Sequence, residues 1–520
     1  MKGHLAIHPF LFAAYPVLAA LSNNIGQMEP AQVIRPLILT LLITGLLSLF
    51  FLFFYKNWDR AGFVTSLLLF MFLYYGYSYK FPDQVKILDL PVSKHIIILF
   101  FWIIFLVIVN SKFVWNRVRP QVITNYLNLT AAISMIFPLR IIIISIFLMS
   151  QDPLNGWILP PYPTPIHLQS SATPDIYYIV LDGYARSDVL QEIYSFDNTE
   201  LIQFLEGHGF QVADKSQSNY SQTGLSLAST LNLEYLDNLS FAANLSQNRS
   251  PLKEMIANSR VRNLLADRGY KMIAFSTGYR LSTVHHADIY FDSTEGAPTI
   301  FEALLLSTSA FQALVDLDIL KSPIPGYDTH RKNILYNFEQ LEKIPEIEGP
   351  KFVFTHIIAP HPPFVFDENG HSINPNYPYT LGDGNSIPLT DEEYKKGYSA
   401  QLNFINQLVM ETVSKLLDKS SIPPIIIIQA DHGPGAYLNN ESYQESCLKE
   451  RYSILNAIYY PYGEMTDFYE AITPVNTFRV VFDAYFNTNL GLLEDRNYYS
   501  TSSHPYNFID VTNMSQSSYK

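Results

Sequence analysis

The 520-residue chain carries one cysteine, Cys447. A single thiol excludes an internal disulfide framework and a cysteine-rich zinc module. A large extracytoplasmic domain built without disulfides suits a bacterial envelope better than an animal secretory route. Charge is also scarce. Only 16% of residues are charged, against 48% apolar and 14% aromatic, which is low for a soluble protein. Basic residues are the scarcer sign, 34 against 47 acidic, and no nucleic-acid partner is expected. Internal repeats are absent, so solenoids and propellers are excluded.

The average conceals two chemistries. Residues 1–150 hold 11 Lys+Arg and 4 Asp+Glu, and the remainder holds 23 and 43. Five apolar stretches fall in the basic part, at Leu5–Leu21, Leu37–Tyr55, Phe63–Tyr79, His95–Asn110 and Tyr126–Met149. Each is near the roughly 20 residues that a helix needs to cross a bilayer. Lys2, Lys56, Arg60, Lys112, Arg117 and Arg119 fall on one side of these spans, and Arg35, Lys80, Lys86 and Lys94 on the other. The positive-inside rule then favours a cytoplasmic N-terminus. Five spans place everything after residue 150 outside. The expected organisation is a transmembrane domain over 1–150, a proline-rich linker over 151–174, a catalytic domain over 175–500 and a polar tail over 501–520.

Beyond the linker, short apolar runs alternate with amphipathic helical ones, which implies a three-layer α/β domain with a mostly parallel sheet. Strands are expected at Ile176–Leu181, Lys271–Phe275, Phe352–Ile357, Ile425–Gln429 and Leu455–Tyr460. Ligands bind such sheets at the carboxyl ends of the strands, and titratable groups sit at those ends here. "IIIIQADHGPG" places Asp431 and His432 directly after a buried run, and "DIYYIVLDGYAR" does the same for Asp182. Two carboxylates and an imidazole converging there suit a divalent cation, with zinc or manganese favoured and calcium possible. "SNYSQTGLSLASTLN" runs a hydroxyl-rich loop into a helix starting near Thr223. A hydroxyl at that point either caps the helix or serves as a nucleophile. Thr223 is preferred to Ser221 because the helix starts there. In "FVFTHIIAPHPPFVFD", His361 precedes a diproline that fixes its backbone. It is placed to protonate a leaving oxygen or to ligate a second metal, whereas His356, inside the strand, either packs or helps bind substrate.

Together these residues resemble the alkaline phosphatase/sulfatase superfamily. Within it they most resemble membrane-anchored phosphoethanolamine transferases and glycerol-phosphate transferases of the lipoteichoic-acid type. That resemblance implies five N-terminal spans and an outward-facing sulfatase-like domain. It implies Asp182, Thr223, Asp431 and His432 as metal ligands, Thr223 as nucleophile and His356 with His361 as a histidine pair. Two departures bear on substrate. Neither Cys447 nor Ser221 begins a Cys/Ser-x-Pro-x-Arg motif, which argues against a standard arylsulfatase. No further histidine follows Asp431-His432 in "YLNNESYQESCLKERYS", so Lys449 and Arg451 are candidates for holding a phosphate. The implied activity moves a phospholipid-derived phospho-head group to an envelope glycan or glycolipid at the bacterial cytoplasmic membrane. The alternatives are a phosphodiesterase or sulfuric ester hydrolase of the same superfamily, and a non-catalytic binding or scaffold protein.

Overall fold

The computed structural model describes residues 5–25, 30–76, 84–87, 90–111, 115–117, 119–152, 154, 173–239, 246–461, 463, 465 and 467–514. The chain forms two compact units, one of residues 1–151 with 296–325 and the other of 152–295 with 326–520.

The first unit contains helices α1 (His8–Asn24), α2 (Ile34–Tyr55), α3 (Trp58–Leu73), α4 (Lys94–Asn110) and α5 (Pro120–Ser150), and a hairpin of β1 (Gln84–Ile87) and β2 (Leu90–Ser93). These five helices overlie the five apolar stretches. Among the described residues, two are long and apolar enough to cross a bilayer, Ala31–Tyr55 and Pro120–Ser150, while Lys94–Asn110 is apolar but shorter. Helix α3, at 16 residues, reaches only about 24 Å, against a hydrocarbon layer of about 30 Å. Asn128 of α5 accepts from the backbone N–H groups of Ile7 and His8 at the start of α1, which aligns the two helices side by side.

Residues 296–325 were assigned from sequence to the catalytic domain. They belong instead to this first unit. Phe301 is fully buried in a cluster with Val17, Leu21 and Val33. Arg35 Nε lies 3.2 Å from Glu302 Oε1 and His95 Nε2 3.1 Å from Asp316 Oδ2. Ala310 donates to the Phe72 carbonyl and Gly76 to the Thr308 carbonyl. The end of α1, the start of α2, the end of α3 and the start of α4 therefore all meet one segment. Helices running alternately up and down bring those four ends to one side.

The second unit is built on a seven-stranded sheet ordered β4-β9-β8-β3-β7-β5-β6. Its strands are β3 (Ile176–Leu181), β4 (Phe210–Val212), β5 (Lys271–Phe275), β6 (Ile289–Phe291), β7 (Lys351–Ile357), β8 (Ile425–Gln429) and β9 (Asn456–Tyr459). The five strands from β8 to β6 are parallel, and β9 is antiparallel to both its neighbours. Strand β3 is buried throughout, and its side chains alternate between two cores. Ile176, Tyr178 and Val180 join the core under the Thr223–Asn232 and Pro474–Phe486 helices. Tyr177, Ile179 and Leu181 join the core under the Tyr327–Leu341 and Asp391–Lys419 helices. A strand apolar on both faces needs helices on both, and this is the three-layer arrangement.

The linker reading falls almost wholly on residues 153 and 155–172, outside the described residues. The tail is shorter than expected. Tyr506 and Val511 are buried, and β11 (Ile509–Asp510) pairs with β10 (Tyr498–Tyr499). A few apolar anchors within a polar stretch suffice to fold it down as far as Met514.

Candidate metal centre

The register of the sheet creates the site. Strand β3 lies between β7 and β8, with Val180 opposite both His356 and Gln429. The residues that follow these strands are therefore neighbours at one end of the sheet. The Asp182 N–H donates to the Ile357 carbonyl, and the His361 N–H donates to the Asp182 carbonyl. The Gly183 N–H reaches Asp431 Oδ1 at 3.3 Å.

Asp182, Asp431 and His432 are all buried and each brings one ligand atom within 4.8 Å of the others. His432 Nδ1 is 2.9 Å from the Gly433 carbonyl. That bond keeps the proton on Nδ1 and leaves Nε2 as an acceptor facing the two carboxylates, 3.6 Å from Asp182 Oδ1 and 3.3 Å from Asp431 Oδ2. Thr223 Oγ1 lies 3.0 Å from the same nitrogen. Thr223 is the first residue of its helix, whose N-cap is Gln222, so its hydroxyl does not serve as the cap. The buried oxygens Asp182 Oδ1 and Asp431 Oδ2 have no hydrogen-bond partner. Two orphaned carboxylate oxygens are costly in a protein interior. A divalent cation bound by O and N ligands would satisfy them together with His432 Nε2. The donor set fits the group.

Around this core, His356 Nε2 stands 3.2 Å from Asp182 Oδ2, and its Nδ1 is 2.8 Å from Ser282 Oγ. An imidazole held on one side and standing this close to a ligand carboxylate on the other limits the directions in which that carboxylate can point. Burial pushes Asp182 up, but the charge of His361 and the closeness of the His356 imidazole outweigh it and hold the carboxyl well below its ordinary range. His361 lies near His432, with 6.2 Å between ring centroids, and its Nε2 is 3.9 Å from Asp383 Oδ2. Burial lowers His361, yet Asp182 and Asp383 prevail and leave it above its ordinary value.

No protein-family model matches the sequence, and no curated protein matches it. Solved structures do. The C-terminal periplasmic domain of EptC from Escherichia coli is similar at 12% identity over 68% of this chain and 96% of that one, with a TM-score of 0.44. The corresponding domain of the phosphoethanolamine transferase EptC from Campylobacter jejuni is similar at 13% identity over 61% and 90%, with a TM-score of 0.37. An integral membrane lipooligosaccharide phosphoethanolamine transferase A from Neisseria meningitidis is similar at 11% identity over 88% and 89%, also with a TM-score of 0.37.

Arg451 and Lys449 part company. Arg451 is buried and fully engaged. Its Nη1 donates to Asp383 Oδ2 at 2.6 Å and to the Gly433 carbonyl at 2.9 Å, and its Nε donates to the Ser221 carbonyl at 2.9 Å. It thus ties together the backbones beside Thr223 and His432. Lys449 turns to Glu192 at 2.5 Å and Asp188 at 3.5 Å, and its charge is spent on that acidic helix. The structure does not bring it to the metal ligands.

Asp383 and Glu450 escaped the sequence reading. Asp383 accepts from Tyr394 Oη and the Gly384 N–H as well as from Arg451. In "LGDGNS" it reads as a turn former, and no local signal separates the two uses. Glu450 accepts from the Ala436 and Tyr437 N–H groups and from Tyr194 Oη, which anchors the loop after His432. Burial pushes Glu450 up to about 8. The glycines of the "DHGPG" motif follow from this packing. A Cβ on Gly433 would stand 2.0 Å from the Glu450 carbonyl oxygen, and one on Gly435 2.7 Å from Asp383 Oδ2. Any side chain at Gly433 meets backbone that cannot yield.

Proposed function

We propose that the chain is a membrane-anchored, metal-dependent phosphotransferase of the sulfatase-like type, acting on the outer face of a bacterial cytoplasmic membrane. The observation that carries this reading is the convergence of Thr223, Asp182, Asp431 and His432, with two buried carboxylate oxygens left to be satisfied. The five apolar helices of the first unit serve as five spans, the shorter ones set within the bundle. A bilayer anchor suits a lipid donor, whose diacylglycerol stays in the membrane after the head group leaves.

Asp182, Asp431, His432 and Thr223 would hold the cation, zinc or manganese being favoured over calcium because one ligand is imidazole. When bound, it supplies a Lewis acid that lowers the pKa of the Thr223 hydroxyl and offsets phosphoryl charge. Thr223 Oγ attacks phosphorus, and the bond from phosphorus to the diacylglycerol oxygen breaks. The N-terminus of the Thr223–Asn232 helix favours the anionic group at that point. His361, whose basicity Asp182 and Asp383 raise, gives the departing oxygen its proton. An acceptor hydroxyl on an envelope glycan or glycolipid then displaces Thr223 and returns a proton to His361. The transferred group is phosphoethanolamine or glycerol phosphate.

The test is incubation of the purified chain with head-group-labelled phospholipid in the absence of acceptor. Diacylglycerol should appear, with a phospho-head-group adduct on the peptide of residues 215–232. Thr223→Ala should fold, bind metal more weakly and lose turnover by several orders of magnitude. An adduct mapped to Ser221, or full turnover by Thr223→Ala, refutes the assignment. Release of the head group to water without an adduct identifies a hydrolase instead.

A further inference from the structure

The segment that joins the first unit from the far side of the sequence leaves large apolar side chains uncovered. Ile300, Leu314, Leu317, Ile319, Leu320 and Ile324 are 59, 39, 41, 63, 42 and 48% exposed. Five of the six fall between residues 314 and 324, a stretch too short to bury them in a core of its own. We propose that residues 314–324 lie in the interfacial layer of the outer leaflet, with lipid at the headgroup–acyl boundary as their partner.

This inference rests on the membrane reading given above and extends it to a second, non-spanning lipid contact. Three observations carry it. The segment is fixed to four helix ends that share one side of the first unit, through Phe301, the Arg35–Glu302 and His95–Asp316 pairs and two backbone hydrogen bonds. Those helices present uncovered apolar faces beside the segment itself, with Ile34 58% and Ile38 51% exposed at the start of α2 and Ile96 57% and Leu99 56% at the start of α4. An apolar run on a segment pinned to the ends of such helices is therefore continuous with lipid-facing surface. The polar residues are also placed for a boundary. Asp316 turns back to His95, while Asp318 and Lys321 remain exposed, as charged groups at headgroup depth do. A docked protein is the competing occupant, and the experiment separates the two.

The experiment uses the full chain reconstituted in phosphatidylcholine vesicles, with environment-sensitive fluorophores on single introduced cysteines. Cys447 is buried, so the unmodified chain serves as the labelling blank. Ile319→Cys and Leu320→Cys are the test positions, with Leu317→Cys repeating the measurement from the same run. Ile103→Cys on α4 is the spanning control, and Glu206→Cys on the exposed face of the second unit is the aqueous control. The expected result at 319 and 320 is blue-shifted emission, quenching by phosphatidylcholine spin-labelled near the headgroup, and protection from aqueous iodide. Iodide access at 317, 319 and 320 with lipid quenching at 103 overturns the inference and leaves the membrane reading standing. Protection from both quenchers also overturns it, because protein then covers the segment. Iodide access at 103 defeats the membrane reading and this inference with it.

Discussion

Removing both partners of the Arg451–Asp383 pair should cost clearly less than the sum of removing each alone. The guanidinium and the carboxylate are buried, 2.6 Å apart. In Asp383→Asn the guanidinium keeps only the Ser221 and Gly433 carbonyls, and a buried charge without its counter-ion costs about 3–5 kcal/mol. In Arg451→Met the carboxylate keeps the Tyr394 and Gly384 donors, which places that variant near the lower end of the same range. The double variant buries no net charge, so its cost should fall below the sum of the singles by about 2 kcal/mol. Trp58, Trp102 and Trp115, three of the four tryptophans, lie in the first unit, so tryptophan emission reports mainly on that unit rather than on the second. Pulse proteolysis in urea, or the tyrosine near-ultraviolet dichroism of the full chain in detergent, reports on the second. Because Arg451 ties the backbones beside Thr223 and His432, each single variant should also weaken metal binding about tenfold. Single variants that each cost under about 1 kcal/mol, on the scale of an exposed pair, and that simply add would refute the reasoning.

Three further outcomes follow from the same geometry. His356→Ala should lower zinc or manganese affinity about 10–100-fold, read by competition with a chelator, because Asp182 loses the imidazole packed against it. Lys449→Ala should leave turnover unchanged, since its ion pairs are with Asp188 and Glu192, and a tenfold loss would return it to the site. Glu450, raised from 4.5 to about 8, binds its proton more tightly folded than unfolded. Its contribution is thus complete below about pH 4.5 and is lost as pH rises towards 8. Stability measured across that window should fall more steeply in the native chain than in Glu450→Gln.

Much of the sheet was legible because β-branched runs bounded by proline and glycine announce buried strands. Ile176–Leu181, Lys271–Phe275 and Ile425–Gln429 were placed to the residue. The start of the Thr223–Asn232 helix was readable for a similar reason, since an apolar run follows a polar loop. Strands β4 and β6, at three residues each, fall below any period that can be counted. The antiparallel sense of β9 is invisible because alternation carries no direction. Of the site, the groups at strand ends were legible and the groups that brace them were not. Asp383 resembles any Asp-Gly turn, and Arg451 resembles any solvated helix cation until a buried partner 68 residues away in sequence is known. Residues 296–325 evaded the reading because "FEALLLS" is equally apolar whichever unit it joins.

That late-arriving segment sets an order of events during synthesis. The ends of α1 to α4 are made first, but Phe301, Glu302 and Asp316, which complete them, follow only after residues 152–295 have been translated. At 5–20 residues per second the gap is roughly 7–30 seconds. Throughout it Arg35 lacks Glu302 and His95 lacks Asp316, and the apolar cluster at Val17, Leu21 and Val33 lacks Phe301. The first unit is therefore complete only once residue 316 has been made, and a chain that ends before Phe301 leaves its core cluster unfilled.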